Sequence, residues 1–110
     1  MFGAGSFARI SSYVDARSLA AGVAETVTKP TGTVAQTYNG CVLTTNADIW
    51  VRRGGAAAVP AGDVTDGTAS ILIPAGTSRV MDFHDDDGTI LATFSMISAG
   101  AALVSMEWFR

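Results

Sequence analysis

The sequence predicts an all-β domain, an antiparallel β-sandwich of jelly-roll-like form that carries an extended N-terminal arm. Val, Ile and Thr, which favour strands, number 28 of the 110 residues, whereas Leu, Glu, Lys, Gln, Arg and Met, which favour helices, number 19. Turn-forming pairs such as Asn39-Gly40, Asp66-Gly67 and Asp87-Gly88 recur at short intervals. Between the turns, apolar side chains often occupy every second position. This spacing is typical of short strands with one buried face.

The clearest predicted strand lies at the C-terminal end, over residues 102–109. One alternating set of side chains is expected to face the core, and it comprises Ala102, Val104, Met106 and Trp108. The opposite set includes Leu103 and Phe109, so that face is not cleanly polar either. We therefore expect Trp108 in the core and an outer face that is partly apolar.

Residues 41–53 are expected to form one long bent strand or two short ones. One side of this segment carries Ala47, Ile49 and Val51, and the other carries Asp48, Trp50 and Arg52. Cys41 stands within an apolar alternation, which favours a buried, inert thiol. Further strands are expected within 23–28 and over 70–73, 79–84 and 89–96.

The length fits one domain with one core. We divide the chain into an N-terminal arm or peripheral strand over residues 1–25 and the sandwich over residues 26–110. Residues 6–24 have apolar side chains at helical spacing as well as strand-forming residues, and we favour extended structure. Residues 54–68, rich in Gly and Ala, are expected to form a long loop.

The composition favours contacts with other proteins over other partners. Hydrophobic residues make up 48% of the chain and charged residues 15%, against about 25% in ordinary soluble domains. Depletion of charge marks the buried part of protein interfaces, so we expect partner subunits to cover some of the surface. A net charge of −3 and a single lysine, Lys29, argue against nucleic-acid binding. The chain has no run of 18 apolar residues and no signal peptide, so we expect neither membrane insertion nor secretion.

The residues that could carry chemistry do not form a recognisable catalytic or metal motif, and we predict no enzyme activity and no cofactor. One Cys and one His cannot supply a structural zinc site. Asp85, Asp86 and Asp87 lack the spacing of a calcium loop, and we interpret Asp87-Gly88 as a hairpin turn, with cation binding left open. His84 has carboxylates nearby, but no serine lies in a G-x-S-x-G turn.

Two segments carry a resemblance to a known family. The first is Cys41-Val42-Leu43-Thr44-Thr45-Asn46-Ala47-Asp48-Ile49-Trp50-Val51-Arg52-Arg53-Gly54. The second, after an Ala/Gly-rich loop, is Ile71-Leu72-Ile73-Pro74-Ala75-Gly76-Thr77-Ser78-Arg79 with Val80-Met81-Asp82-Phe83. Together with the closing strand, they resemble small virion proteins of tailed bacteriophages, of the type that decorates or cements capsids. The resemblance covers roughly residues 40–109.

This resemblance implies a non-enzymatic structural protein on the capsid surface, made in the host cytoplasm. It implies that the partners are the major capsid protein and further copies of this chain, which such proteins often assemble as trimers. Trp and Arg are enriched in binding hot spots, and an apolar arm can bind in the groove of a partner. We expect the contact surface to include Phe2, Phe7, Arg9, Tyr13, Trp50 and Arg52.

Two alternatives stay open from the sequence. One is a carbohydrate-binding β-sandwich, for example a receptor-binding tip, in which Trp50 and the acidic loop at 85–87 hold a sugar or calcium. The other is a structural component of the tail or the connector.

Overall fold

A computed structural model describes residues 13–30, 38–83 and 92–109 of the chain. Within these ranges the backbone forms eight strands: β1 (Val14–Leu19), β2 (Glu25–Thr28), β3 (Gly40–Thr45), β4 (Ile49–Arg53), β5 (Ile71–Ile73), β6 (Ser78–Asp82), β7 (Thr93–Ile97) and β8 (Ala102–Phe109). The described residues include no helix long and apolar enough to span a membrane.

The strands form two packed antiparallel sheets, and the predicted antiparallel β-sandwich is confirmed. Sheet A has the order β1-β8-β3-β6, and sheet B has the order β2-β7-β4-β5. Apart from the neighbours β4 and β5, successive strands lie in different sheets, which gives the strand order of an eight-stranded jelly roll. The chain therefore crosses the core repeatedly, and the first strand pairs with the last.

The core is built from the inward side of each strand, as the alternation predicts. In β8 the four residues expected in the core are buried and Leu103 is exposed, while in β4 both Ile49 and Val51 are buried. Trp108 is completely buried, and its ring centroid lies 5.4 Å from that of Phe83. The predicted placement of Trp108 in the core is therefore confirmed.

The strand boundaries follow the predictions with small shifts. Residues 41–53 form two strands separated by residues 46–48, the second of the two expected arrangements. The strand predicted over 89–96 is found at Thr93–Ile97, because β7 pairs in register with both β2 and β4. Residues 84–91, including the predicted hairpin tip, lie outside the described residues.

The sandwich begins earlier in the chain than residue 26. Val14–Leu19 is the edge strand of sheet A and pairs with β8 over all six residues. This segment is extended, as expected, and it corresponds to the peripheral strand of the predicted division. Residues 1–12, the remainder of the predicted arm, lie outside the described residues.

Two polar contacts close the side of the sandwich where β1 and β2 form the sheet edges. The indole Nε1–H of Trp108 donates to Asp15 Oδ2 over 3.0 Å, so the buried ring has a partner for its polar group. Arg17 Nη1 lies 3.2 Å from Glu25 Oε1 and joins β1 to β2 across the two sheets. Together these contacts hold β1 against β8 and against the second sheet.

The long loop between β4 and β5, residues 54–70, lies over the outer face of sheet B. The Ala57 amide donates to Ser95 Oγ at 2.9 Å, and the Ala58 amide donates to Ser70 Oγ at 3.0 Å. Ser95 and Ile97 alternate with the core residues of β7, yet both are buried. The loop predicted over 54–68 is confirmed, and the loop leaves the outer face of sheet A as the more open side of the sandwich.

Gly40 occupies a position in β3 where any side chain would collide with its surroundings. A Cβ atom there would lie 2.6 Å from Phe109 Cζ and would also meet the carbonyl of Met81. We expect Gly40→Ala to lower the free energy of unfolding by about 1–3 kcal/mol, the usual cost of overpacking. Urea denaturation measures the change. Gly62→Ala is the matched control, because nothing lies within 4 Å of that position; equal midpoints for the two variants would contradict the prediction.

Candidate functional site

The outer face of sheet A is the most open regular surface that the described residues form. It is built by the outward side chains of four strands, aligned in rows by the strand register. One row consists of Val14, Glu107, Val42 and Val80, and the next consists of Ala16, Ser105, Thr44 and Ser78. We call this surface the A face; its other members are Ser18, Leu103, Gly40, Phe109 and Asp82.

The A face combines exposed apolar side chains with neutral hydroxyls and carries little charge. Its three most exposed large aliphatic side chains are Val14, Val80 and Leu103, at 55%, 60% and 60% exposure. The polar members are mostly hydroxyls, and Thr44 Oγ1 lies 2.9 Å from Ser78 Oγ, so these two satisfy each other. The only charged members are Glu107 and Asp82, both acidic. A surface with this chemistry suits contact with another protein.

Two hydrogen bonds made by Asn46 secure the end of the A face where Leu103 lies. Beyond the end of β3, the Asn46 amide donates to the Leu103 carbonyl at 3.2 Å, and Asn46 Oδ1 accepts from the Leu103 amide at 2.8 Å. These bonds fix the backbone under the exposed Leu103 side chain. A shallow depression of about 320 Å³ lies beside it, and its lining includes Ala16, Thr44 and Ser105.

The three predicted contact residues that the structure describes, Tyr13, Trp50 and Arg52, do not lie on one surface. Tyr13 precedes β1 at one end of sheet A, is 43% exposed, and has its ring 5.6 Å from the ring of Tyr38. Trp50 and Arg52 lie on the outer side of sheet B, where both are partly buried. The other three, Phe2, Phe7 and Arg9, lie outside the described residues.

Trp50 and Arg52 are already engaged within the chain. Trp50 is paired with Ile97 on one side and Leu72 on the other. The Arg52 guanidinium lies against Gly55, where a Cβ atom would come within 2.6 Å of Cζ, and its Nη1 is 3.5 Å from the Ala56 carbonyl. Arg52 is therefore held against the 54–70 loop and Trp50 lies between its strand neighbours, and both are less exposed than the large aliphatic side chains of the A face.

Sequence reasoning did not select the A face. Its rows combine residues from β1, β3, β6 and β8, which are far apart in the sequence. The available signal was the outward side of β8, where Leu103 and Phe109 interrupt an otherwise polar set. The exposed valines on the two edge strands, Val14 and Val80, gave no comparable signal.

The groups that could carry chemistry are few among the described residues. No cluster of three or more His, Cys, Asp or Glu side chains that could hold a metal ion occurs there. Cys41 is buried, and burial raises the pKa of its thiol to about 12, with a smaller contribution from the Asp15 carboxylate. This agrees with the predicted buried, inert thiol. His84 and the acidic residues 85–87 lie outside the described residues.

One further groove, of about 370 Å³, lies between the Gly54-Gly55 turn and strands β2 and β7. Its side chains are neutral: Thr26, Thr93 and Ser95 supply hydroxyls, and the rest of its lining is small or apolar. Ser95 Oγ already accepts a hydrogen bond from the backbone of the 54–70 loop. The groove therefore contains no titratable group that could act as an acid, a base or a nucleophile.

Comparison with known proteins gave no match to a family model, to a curated protein or to a solved structure. The function must therefore be inferred from the fold, from the A face, and from the resemblance in the sequence, which stays a prediction.

Proposed function

We propose that this chain is a non-enzymatic structural protein of a tailed-phage virion, and that it decorates or cements the capsid by binding the major capsid protein through the A face. The observation that carries the proposal is the exposure of Val14, Val80 and Leu103 on a face that has no positive charge. Burying such side chains against another subunit is favourable, at roughly 25 cal/mol for each Å² of apolar surface removed from water.

The size of the A face supports a contact that is repeated many times. Four strands about 4.8 Å apart, with residues rising about 3.3 Å each, make a face of about 20 by 20 Å. This is smaller than the roughly 800 Å² that each partner contributes to a standard stable complex. A single contact would therefore be weak, whereas several copies bound on one lattice gain avidity. A homo-oligomer on a symmetric capsid meets this requirement.

The charges of the A face define the partner further. Glu107 lies within the row of exposed valines, and Asp82 lies at the end of the face. Because both are acidic, the complementary surface should be apolar with Lys or Arg at matching positions. The attachment should therefore weaken as the salt concentration rises.

Attachment can be tested with Leu103→Lys, which places a cation at one of the most exposed apolar positions of the A face. We expect at least a tenfold loss of binding to shells assembled from the major capsid protein encoded with this chain, because an amine in an apolar contact is desolvated and would also repel basic partner residues. Co-sedimentation with the shells measures the bound fraction. The matched control is Val64→Lys, since Val64 is 42% exposed but lies in the 54–70 loop.

Equal binding by the Leu103 and Val64 variants would contradict the role of the A face in attachment.

A chain that lacks residues 1–12 is assayed in the same way for the predicted contribution of Phe2, Phe7 and Arg9. Unchanged binding would contradict the predicted contribution of the arm. Titration with calcium and glycans addresses the carbohydrate-binding alternative. Calcium-dependent sugar binding, together with no binding to capsid shells, would overturn the proposed function.

A further inference from the structure

Sheet A ends in two edge strands, β1 and β6, and each pairs with a single neighbour among the described residues. An edge strand presents backbone N–H and C=O groups that can pair with another chain. The residues that present them can be identified, because hydrogen-bonded and non-hydrogen-bonded pairs alternate along an antiparallel ladder.

The outward groups of β1 belong to Val14, Ala16 and Ser18. The Trp108 amide donates to the Tyr13 carbonyl at 3.0 Å, and the β1–β8 register places Tyr13 opposite Trp108. Tyr13 is therefore in a hydrogen-bonded pair, and every second residue after it also bonds to β8. The residues between them direct their N–H and C=O groups away from the sheet.

The outward groups of β6 belong to Ser78, Val80 and Asp82 by the same reasoning. The Phe83 amide donates to the Asn39 carbonyl at 2.9 Å, and the β3–β6 register places these two residues opposite each other. The Asp82 carbonyl accepts from Arg53 Nη1 at 2.6 Å, as an outward carbonyl can. Ser78 and Val80 are exposed at the edge of the sheet.

The two edges complement each other in shape and charge. Val80 and Val14 lie at opposite ends of one row of the A face, and they are more than half exposed. On the inner side of the sheet, next to these valines, β6 carries Arg79 and β1 carries Asp15. The Arg79 side chain is exposed and makes no ion pair or hydrogen bond with the described part of the chain, whereas the Asp15 carboxylate accepts a hydrogen bond from the indole of Trp108.

We propose that β6 of one copy pairs antiparallel with β1 of a second copy, with Val80 opposite Val14 of that copy. In this register Ser78 lies opposite Ala16, and both pairs use the outward backbone groups, so four main-chain hydrogen bonds form. Arg79 then lies opposite Asp15 in a non-hydrogen-bonded pair, where facing side chains are closest. The rows of the A face continue without a step from one copy to the next.

Pairing of β6 with β1 gives partners to both Val80 and Arg79, whereas pairing of two β6 strands or of two β1 strands does not. Two β6 strands joined about Val80 would put Arg79 opposite Met81, and two β1 strands would leave Val80 and Arg79 exposed. Because β6 of one copy binds β1 of the next, an open assembly ends in one free β1 and one free β6. A closed ring forms if the rotation between neighbouring copies brings these two ends together. This inference specifies the contact between copies that the proposed function invokes. It is tested on the chain in the absence of capsids, so the two proposals can fail separately.

Proline substitutions test the pairing because they remove one outward N–H from each edge. In Ala16→Pro and Val80→Pro the lost N–H is one that the sheet of the same copy does not use, and proline is tolerated at such edge positions. We expect the unaltered chain to sediment as a closed oligomer and each proline variant as a monomer. Circular dichroism should show both variants folded.

Mixing the two variants identifies the unlike edges. Val80→Pro keeps an intact β1 edge and Ala16→Pro keeps an intact β6 edge, so an equimolar mixture should form dimers and nothing larger. Thr26→Pro is the matched control on β2. Its N–H also points away from its neighbour, because the Lys29 amide donates to the Ala92 carbonyl at 2.9 Å and the β2–β7 register alternates from there. This control should keep the oligomer.

Three results would overturn the inference. The first is an unaltered chain that stays monomeric at its highest soluble concentration. The second is a proline variant that keeps the full oligomer. The third is that Val80→Pro stays monomeric while Ala16→Pro, on its own, forms dimers; this would indicate that two β6 edges pair with each other.

Arg79→Ala should weaken the association between copies by up to about fivefold, and this loss should shrink in high salt.

Discussion

Replacing Trp108 with alanine should lower the free energy of unfolding by about 3–5 kcal/mol, more than any other single substitution we consider. The side chain is completely buried, and its ring packs edge-on against Phe83, whose ring lies 5.4 Å from that of Phe94. Truncation removes this apolar contact and leaves a cavity between the sheets. Urea denaturation followed by circular dichroism measures the change, and a loss below about 1 kcal/mol would show that the ring is not central to the core.

The conservative variant Trp108→Phe separates packing from hydrogen bonding. It keeps an aromatic ring in the core but removes the donor for Asp15 Oδ2, which the indole reaches over 3.0 Å. Leaving that partly buried carboxylate without its partner should cost about 1–3 kcal/mol. If the phenylalanine variant is as unstable as the alanine variant, the hydrogen bond and not the packing carries the effect.

Raising the pH from about 9 towards 12 should destabilise the protein through Cys41 by about 4 kcal/mol in total. Burial, and secondarily the carboxylate of Asp15, raises the pKa of this thiol from 9.0 to about 12. In this window the unfolded chain releases the proton while the folded chain retains it, so the unfolded state binds fewer protons and stability falls as the pH rises. Below pH 9 the contribution of Cys41 does not change.

The comparison of the unaltered chain with Cys41→Ala isolates this effect, because other side chains also titrate at alkaline pH. The difference in unfolding free energy between the two chains should be constant up to about pH 9 and should then shrink as the pH approaches 12. Parallel curves over the whole range would contradict the assignment. A thiol reagent at pH 8 should react with Cys41 only as fast as the protein opens, since the side chain is fully buried.

The local pattern of the sequence was sufficient to predict the sandwich and much of its core. A period of two separates the buried and exposed sides of β8 and β4 wherever one side of a strand faces the opposite sheet. The turn residues between strands then limit where each strand can end. Local alternation alone therefore places Trp108 and Cys41 in the core.

The surface properties could not be predicted in the same way, because they depend on contacts between distant segments. Ser95 lies on the outward side of β7 but is buried, and the 54–70 loop that crosses sheet B donates a hydrogen bond to it. The same loop region holds Arg52, which the sequence suggested as a contact residue. The A face depends on the register of four strands, and that register brings Val14 and Val80 into one row.

The adjacency of β1 and β8 has a consequence for biosynthesis. Residues 14–19 leave the ribosome among the first of the described segments, but their only sheet neighbour among those segments is residues 102–109. Closing so long a loop costs chain entropy and slows folding. Until β8 has been synthesised and has paired with β1, the backbone groups of β1 are open to pairing with another copy of the chain. Newly made chains should therefore depend on dilution or on chaperones, and the first strand should be among the last to become protected from hydrogen exchange.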